Sequence, residues 1–298
     1  MQNYEFNRNE HFEKYIFVFK LVIMKHFSFI AFFLFSINLI FSQSLSELVN
    51  KGDSCLKIKE ESLSLQYYSR AIELDSKCSM CYYKRGSVYA QEGYYPEAIK
   101  DLYYTSLLRV SQKDEVLEHT FFLIGECYST LNQSEKAVEN YTNTLLLNPK
   151  HLDALEARIY SFLALKKYEQ ALTDIKRFQK ITKDKSKAQM LFGNYYAAIH
   201  QLKKANKAFT KAILLKPTEG NYYVKRGKLL LQQENYEDAI LNFSKAIELD
   251  QNNDEALVQR GITYHKVNNI LAGCADFRRA AYLGNDEARV MLEAHCPH

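Results

Sequence analysis

No tryptophan occurs in this chain of 298 residues, and only 10 glycines and 4 prolines do. So few turn formers exclude a loop-rich β fold. Without tryptophan, the rings available to fill a core are those of 22 tyrosines and 18 phenylalanines. A strong charge of one sign is missing too. The 39 basic and 35 acidic residues leave a net charge of +4, read at this level as a mild balance spread along the chain. That balance gives no case for nucleic acid, which needs a basic face or stripe. Nothing resembles a phosphate-cradling glycine loop, a nucleophile–histidine–acid set or a metal-binding helix motif. The eight histidines have no repeated acid or nucleophile partner. No catalytic, cofactor-binding or metal residue is therefore assigned, no cofactor is expected, and the chain reads as non-enzymatic.

What the chain does have is a period. The stretch from Ser186 to Glu219 reads as two amphipathic helices joined by a tight turn. Gly193 falls where the helices press closest, Tyr196 follows three residues on, and Ala205, Phe209 and Ala212 share one face before Pro217 stops the second helix. Glycine recurs at Gly52, Gly86, Gly125, Gly193, Gly227 and Gly261, with Ile159 in the one missing place. The spacing is 34 residues, except for 39 between Gly86 and Gly125. Small residues also recur on the second helices, at Ala98, Ala137, Ala171, Ala205 and Ala239, with Ser64 and Gly273 in the first and last copies.

This G-x-x-Y…A-x-x-x-F…P pattern resembles the tetratricopeptide (TPR) repeat. The resemblance covers roughly residues 45–295. It implies an all-α fold: a right-handed solenoid of about seven helix-turn-helix repeats, its first helices lining a concave groove, closed by a C-terminal capping helix. Repeats one and two are expected over 45–112 and repeats three to seven over 118–287, with the cap over 286–296. Five extra residues fall at 113–117. The segment Arg109–Leu117 lacks Gly and Pro, so a second helix extended by more than a turn is expected there, alone or mixed with a longer loop. At Ile159 the absent glycine predicts a wider helix crossing. The terminal helix, with Ala288, Val290, Met291, Leu292 and Ala294, is expected to cover the last apolar face.

Residues 1–42 read as an export signal. The uncharged run Phe27–Phe41 has the length of a secretory h-region and is short for a membrane span of about 20 residues. Cleavage is expected after Ser42, with Met24 the true start. The second reading is an uncleaved anchor lengthened by Tyr15–Ile23, and only then is the membrane a partner. Both place the repeats outside the cytoplasm, in the periplasm or beyond.

TPR arrays bind proteins or peptides, and the repeat phase implies which side chains face the groove. They are Val49, Asp53, Tyr83, Ser87, Phe122, Glu126, Glu156, Tyr160, Met190, Asn194, Val224, Lys228, Val258 and Ile262. Mixed aromatics, aliphatics and isolated charges suit an extended peptide or a helix laid along the array. Asp53 and Glu126 stand where the two-carboxylate clamp of chaperone-binding relatives needs Lys and Asn; only Asn194 and Lys228 match it, so chaperone-tail binding is not expected.

Six cysteines complete the reading. Antiparallel packing of the last two helices brings Cys274 and Cys296 together, as a disulfide in an oxidising compartment or as two buried thiols. The last repeats of exported bacterial TPR proteins often end with such a pair, and the resemblance favours the bridge. Cys78 and Cys81 form a lone C-x-x-C, either a local disulfide or two inert thiols; a thiol-redox role for them lacks its usual β-α-β setting. Cys55 and Cys127 read as small core residues.

Overall fold

A computed structural model describes residues 44–109 and 115–296, which hold fifteen helices and no strand. The chain divides into two compact units between Arg85 and Gly86. In the first unit lie α1 (Leu45–Lys57) and α2 (Glu61–Leu74); α3 (Ser79–Gln91) contains the dividing point. The second unit continues with α4 (Tyr95–Leu108), α5 (Glu115–Thr130), α6 (Ser134–Leu147), α7 (Leu152–Ala164) and α8 (Tyr168–Ile181). After these come α9 (Lys185–Ala198), α10 (Leu202–Leu215), α11 (Gly220–Gln232) and α12 (Tyr236–Leu249). The last three are α13 (Asp254–Lys266), α14 (Ile270–Tyr282) and α15 (Asp286–His295).

Each helix pair is closed by one turn, repeated seven times. The second residue after the first helix is left-handed: Lys59, Gly93, Asn132, Lys166, His200, Glu234 and Asn268, with φ between 57° and 80°. The next amide then bonds back to a carbonyl five residues earlier, as Gln201 N does to Tyr196 O at 2.8 Å and Asn269 N to Tyr264 O at 2.8 Å. This closure satisfies carbonyls that a helix end otherwise leaves open. Only Gly93 adopts that conformation without a Cβ penalty.

The periodic glycines are notches for rings. A Cβ on Gly193 would sit 2.2 Å from Phe209 Cε1, and one on Gly52, Gly125, Gly227 or Gly261 would meet Tyr68, Tyr141, Phe243 or Phe277 at 2.5–2.6 Å. Each of those rings lies sixteen residues on and is at most 2% exposed. Gly86 faces Leu102 instead, with more room. Where Ile159 replaces glycine, the ring is replaced as well. Ile175 stands sixteen residues on, and both isoleucines are fully buried, so the volume is shared between two branched side chains. The alanine column, with Ser64 and Gly273, is buried throughout.

Two expectations need correction. Helix α4 stops at Leu108, the same 14 residues long as most other second helices, and Arg109 is extended. It is therefore not the extended element; α5 instead begins at Glu115 and runs 16 residues. Residues 110–114 lie outside the described set, as do 1–43, where the export-signal reading falls. In α15 only Ala288 is buried; Val290 is 64% exposed and contributes nothing to the cover. The Asn285 side chain caps this helix by accepting from Ala288 N at 2.9 Å. No helix among the described residues is long and apolar enough to cross a membrane.

Two substitutions in one repeat should move stability in opposite directions. Gly193→Ala gains about 1 kcal/mol of helix propensity but drives a methyl into the Phe209 ring, for a net loss of about 1–2 kcal/mol. His200→Gly relieves the left-handed strain and should gain about 0.5 kcal/mol. Urea unfolding followed by circular dichroism reads both, and equal signs would refute the assignment of these two places.

Candidate functional site

The first-helix positions implied by the repeat phase form two columns, and the structure treats them differently. In one column Phe122 and Glu156 are half-buried, whereas Met190, Val224 and Val258 are at most 3% exposed. These three are not groove residues, contrary to expectation. Successive first helices touch here, α11 against α13 for example, and an apolar side chain at the contact is absorbed into the core with Phe209, Tyr223 and Leu257. The other column stays reachable: Glu126 and Tyr160 are exposed, and Asn194, Lys228 and Ile262 are half-buried.

Those reachable side chains are held across the array. Asn194 Nδ2 donates to the Tyr160 hydroxyl at 3.1 Å, and Lys187 Nζ lies 2.5 Å from Glu156 Oε2. Lys228 pairs with Glu255, and Glu126 accepts the Tyr141 hydroxyl at 2.5 Å. Phe122 leans on His151 with ring centres 4.9 Å apart. In the first unit, Asp53 accepts from Lys84 Nζ and from the Tyr68 hydroxyl, both at 2.7 Å. Burial is the largest influence on the Asp53 carboxyl and pushes its pKa up; the two donors outweigh it and hold the carboxyl below its ordinary range. Val49 and Tyr83 are half-buried in this unit, and Ser87 is half-buried in the second. Asn194 and Lys228, the two clamp-like residues, are both engaged within the chain.

A second periodic column escaped the sequence reading. Arg158 donates to Asp174 through Nε and Nη2 at 2.8 and 2.9 Å, and through Nη1 to Thr142 Oγ1 at 2.9 Å. Arg260 repeats this with Asp276 at 2.8 Å and Ser244 at 3.0 Å. Arg226 does so with Asn242 at 2.8 Å and Thr210 at 3.3 Å. Arg85 reaches Ser69 at 3.0 Å. Arg158, Arg226 and Arg260 each join their own second helix to the one before it. The signal was an arginine flanked sixteen residues away by Ser or Thr on one side and by Asp or Asn on the other. Apolar periodicity passes over it. The bond to Asp276 raises the Arg260 pKa, while burial against a neutral Asn242 lowers that of Arg226.

At the C-terminal end, Cys274 Sγ and Cys296 Sγ lie 2.03 Å apart as a disulfide, joining α14 to the end of α15. Cys274 sits in the second turn of α14. His265 Nε2 is 3.7 Å from Cys274 Sγ, in space that Gly273 leaves open: a Cβ there would lie 2.3 Å from the His265 ring. Burial first, then His295, lowers the His265 pKa. His265, Cys274 and Cys296 bring ligand atoms within 4.8 Å of one another, but the bridge uses both sulfurs. Cys78 and Cys81 are likewise joined at 2.02 Å. Cys55 and Cys127 are buried thiols, the latter with its pKa pushed up to about 11 by burial.

Two family models match the chain, one described as TPR repeat over residues 227–268 and one as tetratricopeptide repeat over 118–151. A tetratricopeptide repeat protein from Parabacteroides merdae superposes with a TM-score of 0.75 at 18% identity, covering 85% of this chain and 98% of that one. Among curated proteins, the DnaJ homolog subfamily C member 7 homolog of Dictyostelium discoideum is 28% identical over 189 residues, 58% of this chain and 34% of its own. Mitochondrial import receptor subunit TOM70 of Rattus norvegicus is 25% identical over 243 residues, 80% of this chain and 34% of its own. The chain thus spans about a third of the length of these relatives. Helix pairs, ring notches and family matches together define an α-solenoid. Residues 118–151 and 227–268 match tetratricopeptide repeat models, and the described helices have the fold of a tetratricopeptide repeat array.

Removing one arm of an arginine bridge strands a buried carboxylate. Arg260→Met should cost about 3 kcal/mol, and the double variant Arg260→Met/Asp276→Leu should recover most of it. Thermal unfolding of the two variants checks this; equal losses would mean that packing and not charge pairing is at stake.

Proposed function

We propose that this protein is a non-catalytic scaffold that binds a peptide or a helix of another protein along its first helices. One observation carries the reading. Tyr160, Asn194, Glu156, Lys228 and Glu126 are accessible, yet each is tethered by a bond to another helix. Side chains fixed before a ligand arrives lose little entropy on binding it, which favours affinity. The exposed tyrosine is the natural anchor, because it combines apolar area with a polar tip at low entropic cost. The relatives support a protein-binding role through their names alone, as an import receptor subunit and as DnaJ homologues.

The site of action we propose is outside the cytoplasm. Two cysteine pairs at bonding distance suit an oxidising compartment, and the apolar run before Ser42 suits export.

Two experiments test these readings. A photo-crosslinking residue at position 160 or 126 should yield one partner adduct in the native host, and the same residue at 214, on the far side of α10, should yield none. Tyr160→Ala should then weaken binding of that partner by about tenfold or more with helicity unchanged. Adducts at all three positions would end the groove reading. For the compartment, protein alkylated without reductant should expose only two thiols and begin near Gln43. Loss of the terminal bridge in Cys274→Ser should cost about 3 kcal/mol. Six alkylated thiols in the native protein would overturn export and bridge together.

A further inference from the structure

The arginine column lapses at Ile124, which is buried, and again at Phe192, where a cleft lies. In the repeat formed by α9 and α10, Phe192 occupies the arginine place, Ala208 the carboxylate place and Lys176 the hydroxyl place. The polar bridge that lines the corresponding hollows of the neighbouring repeats cannot form. What remains is an opening of about 390 Å³ with Phe192 and Tyr196 as its floor and Lys204, Lys207 and Lys211 as its rim. The two rings lie 6.3 Å apart, nearly parallel, and Lys204 Nζ stands 5.6 Å over Tyr196.

The same repeat overturns the even charge balance read from composition. From Lys185 to Thr218 there are seven lysines and no aspartate or glutamate. Lys187 pairs with Glu156 and Lys216 with Glu219, and Lys185 donates to the carbonyls of Gln179 and Thr182. Lys204, Lys207 and Lys211 have no ion-pair partner among the described residues. They recur on one helix face over about 10 Å, from the 1.5 Å rise per residue.

We propose that this cleft is a second binding site, for an acidic segment of a protein partner that carries an aromatic or long aliphatic side chain among its carboxylates. The apolar residue would seat on Phe192 and Tyr196, and the carboxylates would meet the three lysines. Charge complementarity selects the class of ligand, and the boundaries select a peptide. In the repeat before, the corresponding hollow is lined by Glu169 and Asp174, and in the repeat after, by Asp238. The basic surface is therefore one repeat long, too short to track a polyanion backbone. The site lies on the other side of α9 from Asn194 and is independent of the first-helix groove.

The probe is a fluorescein-labelled peptide alternating Glu and Phe, with a Gln-for-Glu counterpart, a labelled oligothymidylate and phosphatidylglycerol vesicles as comparators. Fluorescence anisotropy on the full chain should show binding of the Glu–Phe peptide that weakens as salt rises, with none for the Gln peptide. Lys204→Glu/Lys207→Glu/Lys211→Glu, at three exposed positions, should weaken it about tenfold or more. Phe192→Arg/Ala208→Asp rebuilds the bridge across the cleft and should abolish binding, while Tyr160→Ala should leave it unchanged. The proposal is overturned if the wild type does not bind, if the Gln peptide binds equally, or if the lysine variant binds as the wild type does. It is equally overturned if oligothymidylate or vesicles bind more tightly and lose binding in the same variants.

Discussion

Five of the seven repeats depend on one close approach: an aromatic ring of the second helix pressed against a glycine of the first, sixteen residues earlier. The ring occupies the volume a Cβ would take, so the two helices meet at a separation that no other residue at that place permits. Burying such a ring contributes about 2–3 kcal/mol of transfer free energy. The rest of the pair follows from that contact. The small residue on the second helix allows the same approach from the other side, and the chain must reverse within a few residues, which forces the left-handed turn at His200 and its equivalents. Ile159 with Ile175 shows the constraint to be one of volume: when the notch is filled, the ring is dispensed with.

The arginine bridges act on a different contact. A ring in a notch joins two helices of one repeat; an arginine joins second helices of neighbouring repeats. Arg158 and Arg260 each engage a carboxylate bidentately and a hydroxyl with the remaining nitrogen, which is the use for which a planar guanidinium is suited. Because this contact is polar and half-buried, its loss has an effect that loss of an apolar contact does not: it leaves a hollow with no carboxylate. Phe192 and Ala208 together remove both the positive and the negative member, and the surrounding lysines then set the sign of the surface. A departure from the repeat thus marks a surface with a chemistry of its own.

Much of the fold was legible in the residues. Gly52, Gly125, Gly193, Gly227 and Gly261 lie under rings, and the alanine column is buried, because both are steric requirements that recur at a fixed period. The candidate groove was legible only in part. Tyr160, Asn194, Glu126 and Lys228 are reachable, but Met190, Val224 and Val258 are not. Register places all of them on the same helix face. Whether a residue on that face remains open depends on the neighbouring first helix and on the polarity of the side chain it meets. Val290 fails in the opposite direction: an apolar residue expected to cover the last repeat is 64% exposed.

The sequence by itself determined the repeating unit, its small and large positions and the places where it departs from its own pattern, since each is a local matter of side-chain size at helical spacing. Only the tertiary structure decided which departures have consequences. It brought Thr142, Arg158 and Asp174 from three helices into one bridge, opened the hollow beside Phe192, and set His265 against Cys274 in the space of a missing Cβ. Those outcomes depend on residues sixteen or more positions apart meeting across a helix interface, and the geometry of that interface is settled by the packed rings rather than by any one segment.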